Sequence, residues 1–68
     1  MAQSIQALRE QIAARAREIK SMVEDKNTAW TPENQEKYDA GLKEIDELKA
    51  QIDRIERTKR LLRENEYL

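Results

Sequence analysis

Apolar residues recur along this chain at helical spacing in two stretches separated by one break. Between Thr31 and Arg63, the residues Tyr38, Leu42, Ile45, Leu48, Ile52, Ile55 and Leu62 follow one another at steps of three or four or their sum, and the positions between them carry almost only charged or amide side chains. That periodicity predicts one long amphipathic helix. Thr31-Pro32-Glu33 marks its start: the threonine can cap free backbone N–H groups, proline suits the first helical position, and an acid complements the positive end of the helix dipole. At about 1.5 Å per residue the helix is on the order of 50 Å long. Its stripe must be covered by the segment before it or by another copy of the chain.

The segment before it has the same period. Ser4 can cap a helix whose apolar positions are Ile5, Leu8, Ile12, Ala16, Ile19 and Val23. Ala7, Ala13, Ala14 and Ala16 make it slim, so a partner helix can approach closely. Its polar side holds Arg9, Glu10, Arg15, Arg17, Glu18 and Lys20. Because Glu10 and Glu18 interrupt the bases and no aromatic residue is interleaved for base stacking, this side reads as a solvated face.

Periodicity is lost from Glu24 to Trp30, with Asn27 as a helix-stop residue. The spacing therefore predicts a helix over about 5–26, a bend at 27–30 and a helix over about 32–65. So short a connection brings helices back as antiparallel neighbours. The expected fold class is all-α: an antiparallel, coiled-coil-like two-helix hairpin with a short first and a longer second helix, forming a single unit over 1–68. Its expected core is Ile5, Leu8, Ile12, Ile19, Val23, Trp30, Tyr38, Leu42, Ile45, Leu48, Ile52 and Ile55. In the expected register Val23 lies near Tyr38 and Leu42, Ile19 near Ile45, Ile12 near Leu48 and Ile52, and Ile5 near Ile55. Trp30 reads as a lid over Met22, Val23 and Tyr38, the other reading being an exposed anchor for a partner. Gly41 costs on the order of 1 kcal/mol relative to alanine inside a helix; either it makes room for Met22 or Trp30, or the helix simply tolerates it.

Composition narrows the function classes. Of 68 residues 40% are charged, with one Gly, one Pro and no Phe, so a deep core is out of reach and one small unit is expected. No cysteine and no histidine are present, which removes disulfides, zinc ligation by thiolate or imidazole, and the usual nucleophile and base pairs. No enzyme, cofactor or metal site is expected. Glu44, Asp46 and Glu47 are close in sequence, but neighbouring helical positions point in different directions and no Gly-turned ligand loop accompanies them. A net charge of −1 lacks the positive excess that nucleic acid or an anionic membrane selects for. No apolar run suits a bilayer span and no charged-then-apolar leader is seen, so a soluble, unexported protein is expected.

Charge along the second helix is ordered. Glu33 and Lys37, Asp39 and Lys43, Asp53 and Arg57, and Glu56 and Arg60 stand four apart with the acid first, each pair being worth about 0.2–0.5 kcal/mol to a helix. Residues 31–53 hold seven acids against three bases, whereas 54–63 hold Arg54, Arg57, Lys59, Arg60 and Arg63 against Glu56 alone. Bases in the last turns complement the helix dipole; an acidic partner surface is the functional reading. If residues 5–26 pair with about 36–57, then Leu61, Leu62, Tyr67 and Leu68 have no cover within the chain. Together with Arg57, Lys59, Arg60 and Arg63 they form a predicted self-association surface, for which Glu36, Asp39, Glu44 and Asp46 of a neighbouring copy offer opposite charge.

A slim charged first helix with Leu8-Arg9-Glu10, then Trp30-Thr31-Pro32-Glu33, Tyr38-Asp39, Ile45-Asp46-Glu47-Leu48 and Ile52-Asp53-Arg54 resembles the N-terminal delta domain of tailed-bacteriophage major capsid proteins. The resemblance spans nearly the whole chain. It implies an internal scaffolding module, the N-terminal fragment of a larger capsid protein, that guides procapsid assembly and is removed by a head-maturation protease. The implied partners are other copies, the shell domain and that protease. The implied location is the procapsid interior, assembled in the cytoplasm of the bacterial host. The alternative from the residues alone is a stand-alone coiled-coil adaptor or regulator that binds another protein.

Overall fold

The computed structural model describes residues 4–27 and 29–66, the last three by their backbone alone. Two helices make up the fold, α1 over Ile5–Glu24 and α2 over Pro32–Glu66, packed along their lengths as a hairpin about 59 Å long and 21 by 18 Å across. Both starts follow from the capping residues. The Ala7 N–H donates to Ser4 Oγ at 3.1 Å and the Leu8 N–H to the Ser4 carbonyl at 3.0 Å. The Asn34 N–H donates likewise to Thr31 Oγ1 at 3.2 Å and the Gln35 N–H to the Thr31 carbonyl at 3.0 Å. Each cap satisfies donors that a bare helix end leaves open, and is worth about 1 kcal/mol.

The first helix ends two residues earlier than its periodicity predicts, and the connection runs from Asp25 to Thr31 rather than over 27–30. Asp25, not Asn27, is the stop: its carboxylate oxygen Oδ1 accepts the Asn27 N–H at 2.9 Å, in a turn that competes with a further helical bond. No described residue takes a positive φ here, so a left-handed cap does not end α1. The chain after the bend is tied to the first turn of α2: Asn34 Nδ2 donates to the Ala29 carbonyl at 2.8 Å, and Trp30 Nε1 to Gln35 Oε1 at 3.0 Å. At the other end α2 runs to Glu66, one residue past the expected limit.

The seam between the helices has a seven-residue repeat. Ile5, Ile12 and Ile19 with Leu8 and Met22 line α1; Tyr38, Ile45 and Ile52 with Gly41, Leu48 and Ile55 line α2. Leu8, Ile45 and Leu48 are buried, and Ile5, Ile12, Ile19, Met22, Tyr38, Ile52 and Ile55 are half-buried. Two helices cannot enclose a side chain on all sides, so most seam residues keep one wet edge. Cross-helix ion pairs Arg9–Glu56 at 3.4 Å and Arg15–Glu44 at 3.1 Å flank the seam and are compatible with its antiparallel register.

Three of the expected core residues lie outside it. Val23, Trp30 and Leu42 are exposed. Val23 and Leu42 each fall one position beyond the seam, so the 3.6-residue period swept them onto its flank. Trp30 does not seal the closed end; it meets Tyr38 edge-on with ring centroids 5.9 Å apart and remains 48% exposed. Its fluorescence is accordingly expected to be solvent-like and readily quenched by acrylamide, and a blue-shifted, protected emission would contradict this placement. Gly41 does make room for a bulky neighbour, but that neighbour is Ile19 rather than Met22 or Trp30. A Cβ built on Gly41 would stand 2.9 Å from Ile19 Cδ1 and 3.1 Å from Cγ1.

Candidate self-association surface

Beyond the start of α1 the second helix continues with no partner among the described residues. Its last turns place Leu61 and Leu62 in solvent at 55% and 59% exposure, the largest exposures among the large apolar residues of the described chain. Leu62 lies seven residues after Ile55, on the seam itself, where α1 has already ended. Ile55, Thr58, Leu61 and Leu62 are three or four residues apart and share one side of α2. Arg54 and Lys59 bracket this side, lining a shallow depression with Ile55 and Thr58.

The bases of this end are exposed. Among the described residues no ion pair within 4.0 Å holds Arg54, Arg57, Lys59, Arg60 or Arg63. Lys59, Arg60 and Arg63 instead surround Ile5 where α1 starts, together with Glu56. Lys59 takes a seam position, so the apolar repeat of α2 is interrupted by a cation where the hairpin opens. Tyr67 and Leu68, the other two residues expected on this surface, lie outside the described residues.

The predicted ladder of acid-to-base pairs along α2 is not what the structure forms. Glu56 meets Arg9 of the other helix rather than Arg60, and Asp39 accepts from Gln35 Nε2 at 3.0 Å rather than meeting Lys43. Glu44, expected to face a neighbouring copy, is occupied within the chain. Arg15 reaches it and Glu18 together, its Nε 3.1 Å from Glu44 Oε1 and its Nη1 3.0 Å from Glu18 Oε1. The bonds to Glu18 first and Glu44 second push the Arg15 guanidinium above its ordinary, already high, value. That bias is in force at every pH below the guanidinium range, so this cluster contributes no titration of Arg15 near neutrality.

Arg15 was not legible as a seam residue from a 3.6-residue period, which places it on the polar face. The signal that finds it is the strict repeat: Arg15 follows Leu8 by seven and precedes Met22 by seven. Its charge sits at the seam's edge with 41% of the side chain exposed, where water and two carboxylates solvate it.

The two flanks of the hairpin therefore differ. One carries the Arg15 cluster, with Lys37, Gly41 and Glu44 around it. Opposite, beside Val23 and Leu42, lies an apolar depression of about 320 Å³ floored by Ala16, Ile19, Tyr38 and Ile45. Among the described residues no group of His, Cys, Asp and Glu is placed to hold a metal ion, and no helix is long and apolar enough to cross a membrane. Comparison of the chain with protein-family models, with curated proteins and with solved structures found no match.

Proposed function

We propose that this chain is an internal scaffolding module of a phage major capsid protein, whose copies associate with one another to guide procapsid assembly. The observation that carries the reading is the overhang: a helix that projects past its partner with Leu61 and Leu62 exposed and with Lys59, Arg60 and Arg63 in no ion pair among the described residues. Such an end is complementary to an acidic, apolar stretch of the kind the same chain offers farther back on α2. The resemblance of the bend and of α2 to delta domains gives the assembly context. In that context the hairpin would stand between the shell domain and its neighbours. Surface ion pairs worth about 0–1 kcal/mol each would then hold adjacent subunits loosely, so that many weak contacts order the shell and are still lost on proteolytic maturation.

Leu62→Asp and, separately, Arg60→Glu test this by sedimentation. Both variants are expected to shift the chain toward monomer, and added salt to weaken wild-type association. The reading fails if neither substitution changes the monomer fraction and salt has no effect. It also expects the encoding frame to run on from Leu68 into a shell domain.

One observation favours a second reading, an adaptor that binds a different protein: the half-exposed Trp30, held by Gln35 at the bend. Under that reading Trp30→Ala abolishes capture of the partner and leaves self-association unchanged. Under the scaffold reading the overhang substitutions dominate.

A further inference from the structure

We infer that the chain associates head to tail: the overhang of one copy seats in the flank depression beside Val23 and Leu42 of the next. This rests on the self-association reading above and goes further by naming the receiving surface and the symmetry. The occupant is a second copy, and charge selects it. The depression is apolar on its floor, with Ala16, Ile19, Tyr38 and Ile45, and exposes Val23 and Leu42 at its mouth. Around it stand Glu24, which lines it, and Asp39 and Asp46, three residues before and four after Leu42 on the exposed side of α2. Lys20 in its lining and Lys49, four residues after Ile45 on the exposed side of α2, are the cations here, so acids outnumber bases by three to two.

The overhang is the complement. Ile55, Thr58, Leu61 and Leu62 give an apolar side, and Arg54, Arg57 and Lys59 border it. Two-fold pairing of like surfaces is disfavoured on both counts: overhang against overhang sets bases against bases, and depression against depression sets Glu24, Asp39 and Asp46 against their own copies. Overhang against depression alone joins unlike charges and covers both exposed apolar surfaces in one contact. The Arg15 flank offers no equivalent, because its acids Glu18 and Glu44 are already bound to Arg15.

A contact between two different surfaces leaves one of each free at the ends of a dimer. Joined head to tail, the contact propagates until a ring closes or an open chain grows, whereas a reciprocal two-fold pair, each copy's overhang in the other's depression, stops at two. Growth of that kind suits a module whose copies lie side by side beneath a shell.

Complementation between two disabled variants is the test. Leu62→Asp removes the overhang and keeps the depression; Val23→Lys keeps the overhang and sets a cation at the mouth of the depression. Val23 is more than half exposed and near the end of α1, where a lysine favours the helix dipole. Leu42→Lys serves as the second depression variant, and circular dichroism checks that each is helical. At a concentration where the wild-type chain forms species larger than a dimer, each variant alone is expected to be monomeric. An equimolar mixture of Leu62→Asp with either depression variant is expected to form a dimer and nothing larger. If the wild type associates but stops at a dimer, if it associates while the mixtures stay monomeric, or if both depression variants associate as the wild type does, the head-to-tail inference is overturned and the scaffold reading stands. If the wild type shows no association at any concentration, both fall.

Discussion

Leu8→Ala is expected to unfold much of the isolated chain at room temperature. Leu8 is 1% exposed and the most completely buried large side chain among the described residues. It occupies the seam where the slim, alanine-rich half of α1 lies against α2. Cutting a buried leucine to alanine costs about 2–5 kcal/mol, the higher values applying where the surroundings cannot close over the gap. Stability of about 0.05–0.15 kcal/mol per residue leaves a chain of this length only a few kcal/mol in all, and a scaffold this small belongs at the lower end. Loss and total are comparable. Helical circular dichroism followed through a urea titration should show the midpoint falling to low urea or the transition disappearing. Leu61→Ala serves as the control, since its exposed side chain leaves monomer stability unchanged within about 0.5 kcal/mol. A Leu8→Ala chain that melts within a few degrees of the wild type would mean that the seam is not where the stability resides.

Gly41→Val is the second large effect. By helix propensity alone, replacing glycine in a helix interior gains a few tenths of a kcal/mol. Here the substitution also fills the space in which Ile19 lies, since even a Cβ would come within 2.9 Å of its terminal methyl. Overpacking of this kind costs about 1–3 kcal/mol, so the steric term wins and the net effect is destabilising. Gly41→Ala brings only the Cβ, which meets the far end of a flexible side chain, and is expected to be milder. The diagnostic is a double-mutant cycle: Ile19→Ala alone destabilises, yet Gly41→Val combined with Ile19→Ala should be less harmful than the sum of the two, with a coupling above about 0.5 kcal/mol. Additive effects would show that the two residues do not meet.

Glycine 41 also shows how far the sequence is readable. That it breaks a helix-propensity rule signals a close approach, and the antiparallel arrangement follows from two periodic stretches joined by a short break. Which side chain fills the space depends on register at the level of a single residue, and a period of 3.6 does not carry that precision. The same slack explains Val23 and Leu42. An amphipathic stripe read at 3.6 residues is wider than the seam two helices can share, whereas the seven-residue repeat separates the seam from its flanks. It also exposes Arg15 as a charged side chain on a line of apolar ones. Trp30 was expected to be a lid because a short chain has few other large residues for its closed end. The indole N–H, bonded to Gln35, shows the competing demand: a ring with a polar edge is held as well by a local amide as by burial. The overhang, by contrast, was legible from length alone, because α2 exceeds α1 by more than three turns and its excess carries Leu61 and Leu62. What length does not reveal is the receiving surface, since the depression is built jointly by both helices and exists only once their register is set.

The central claim is that a hairpin with so thin a seam and so exposed an end is completed by other copies of itself. Thermal melting of the wild-type chain, followed by circular dichroism across a wide range of concentration with sedimentation at each point, tests this most directly. The midpoint is expected to rise with concentration, as mass action requires when the folded form associates and the unfolded form does not, and the rise should shrink in high salt and in Leu62→Asp. A sharp, cooperative melt at one fixed temperature over the whole range, from a chain that sedimentation shows to be monomeric throughout, would contradict it.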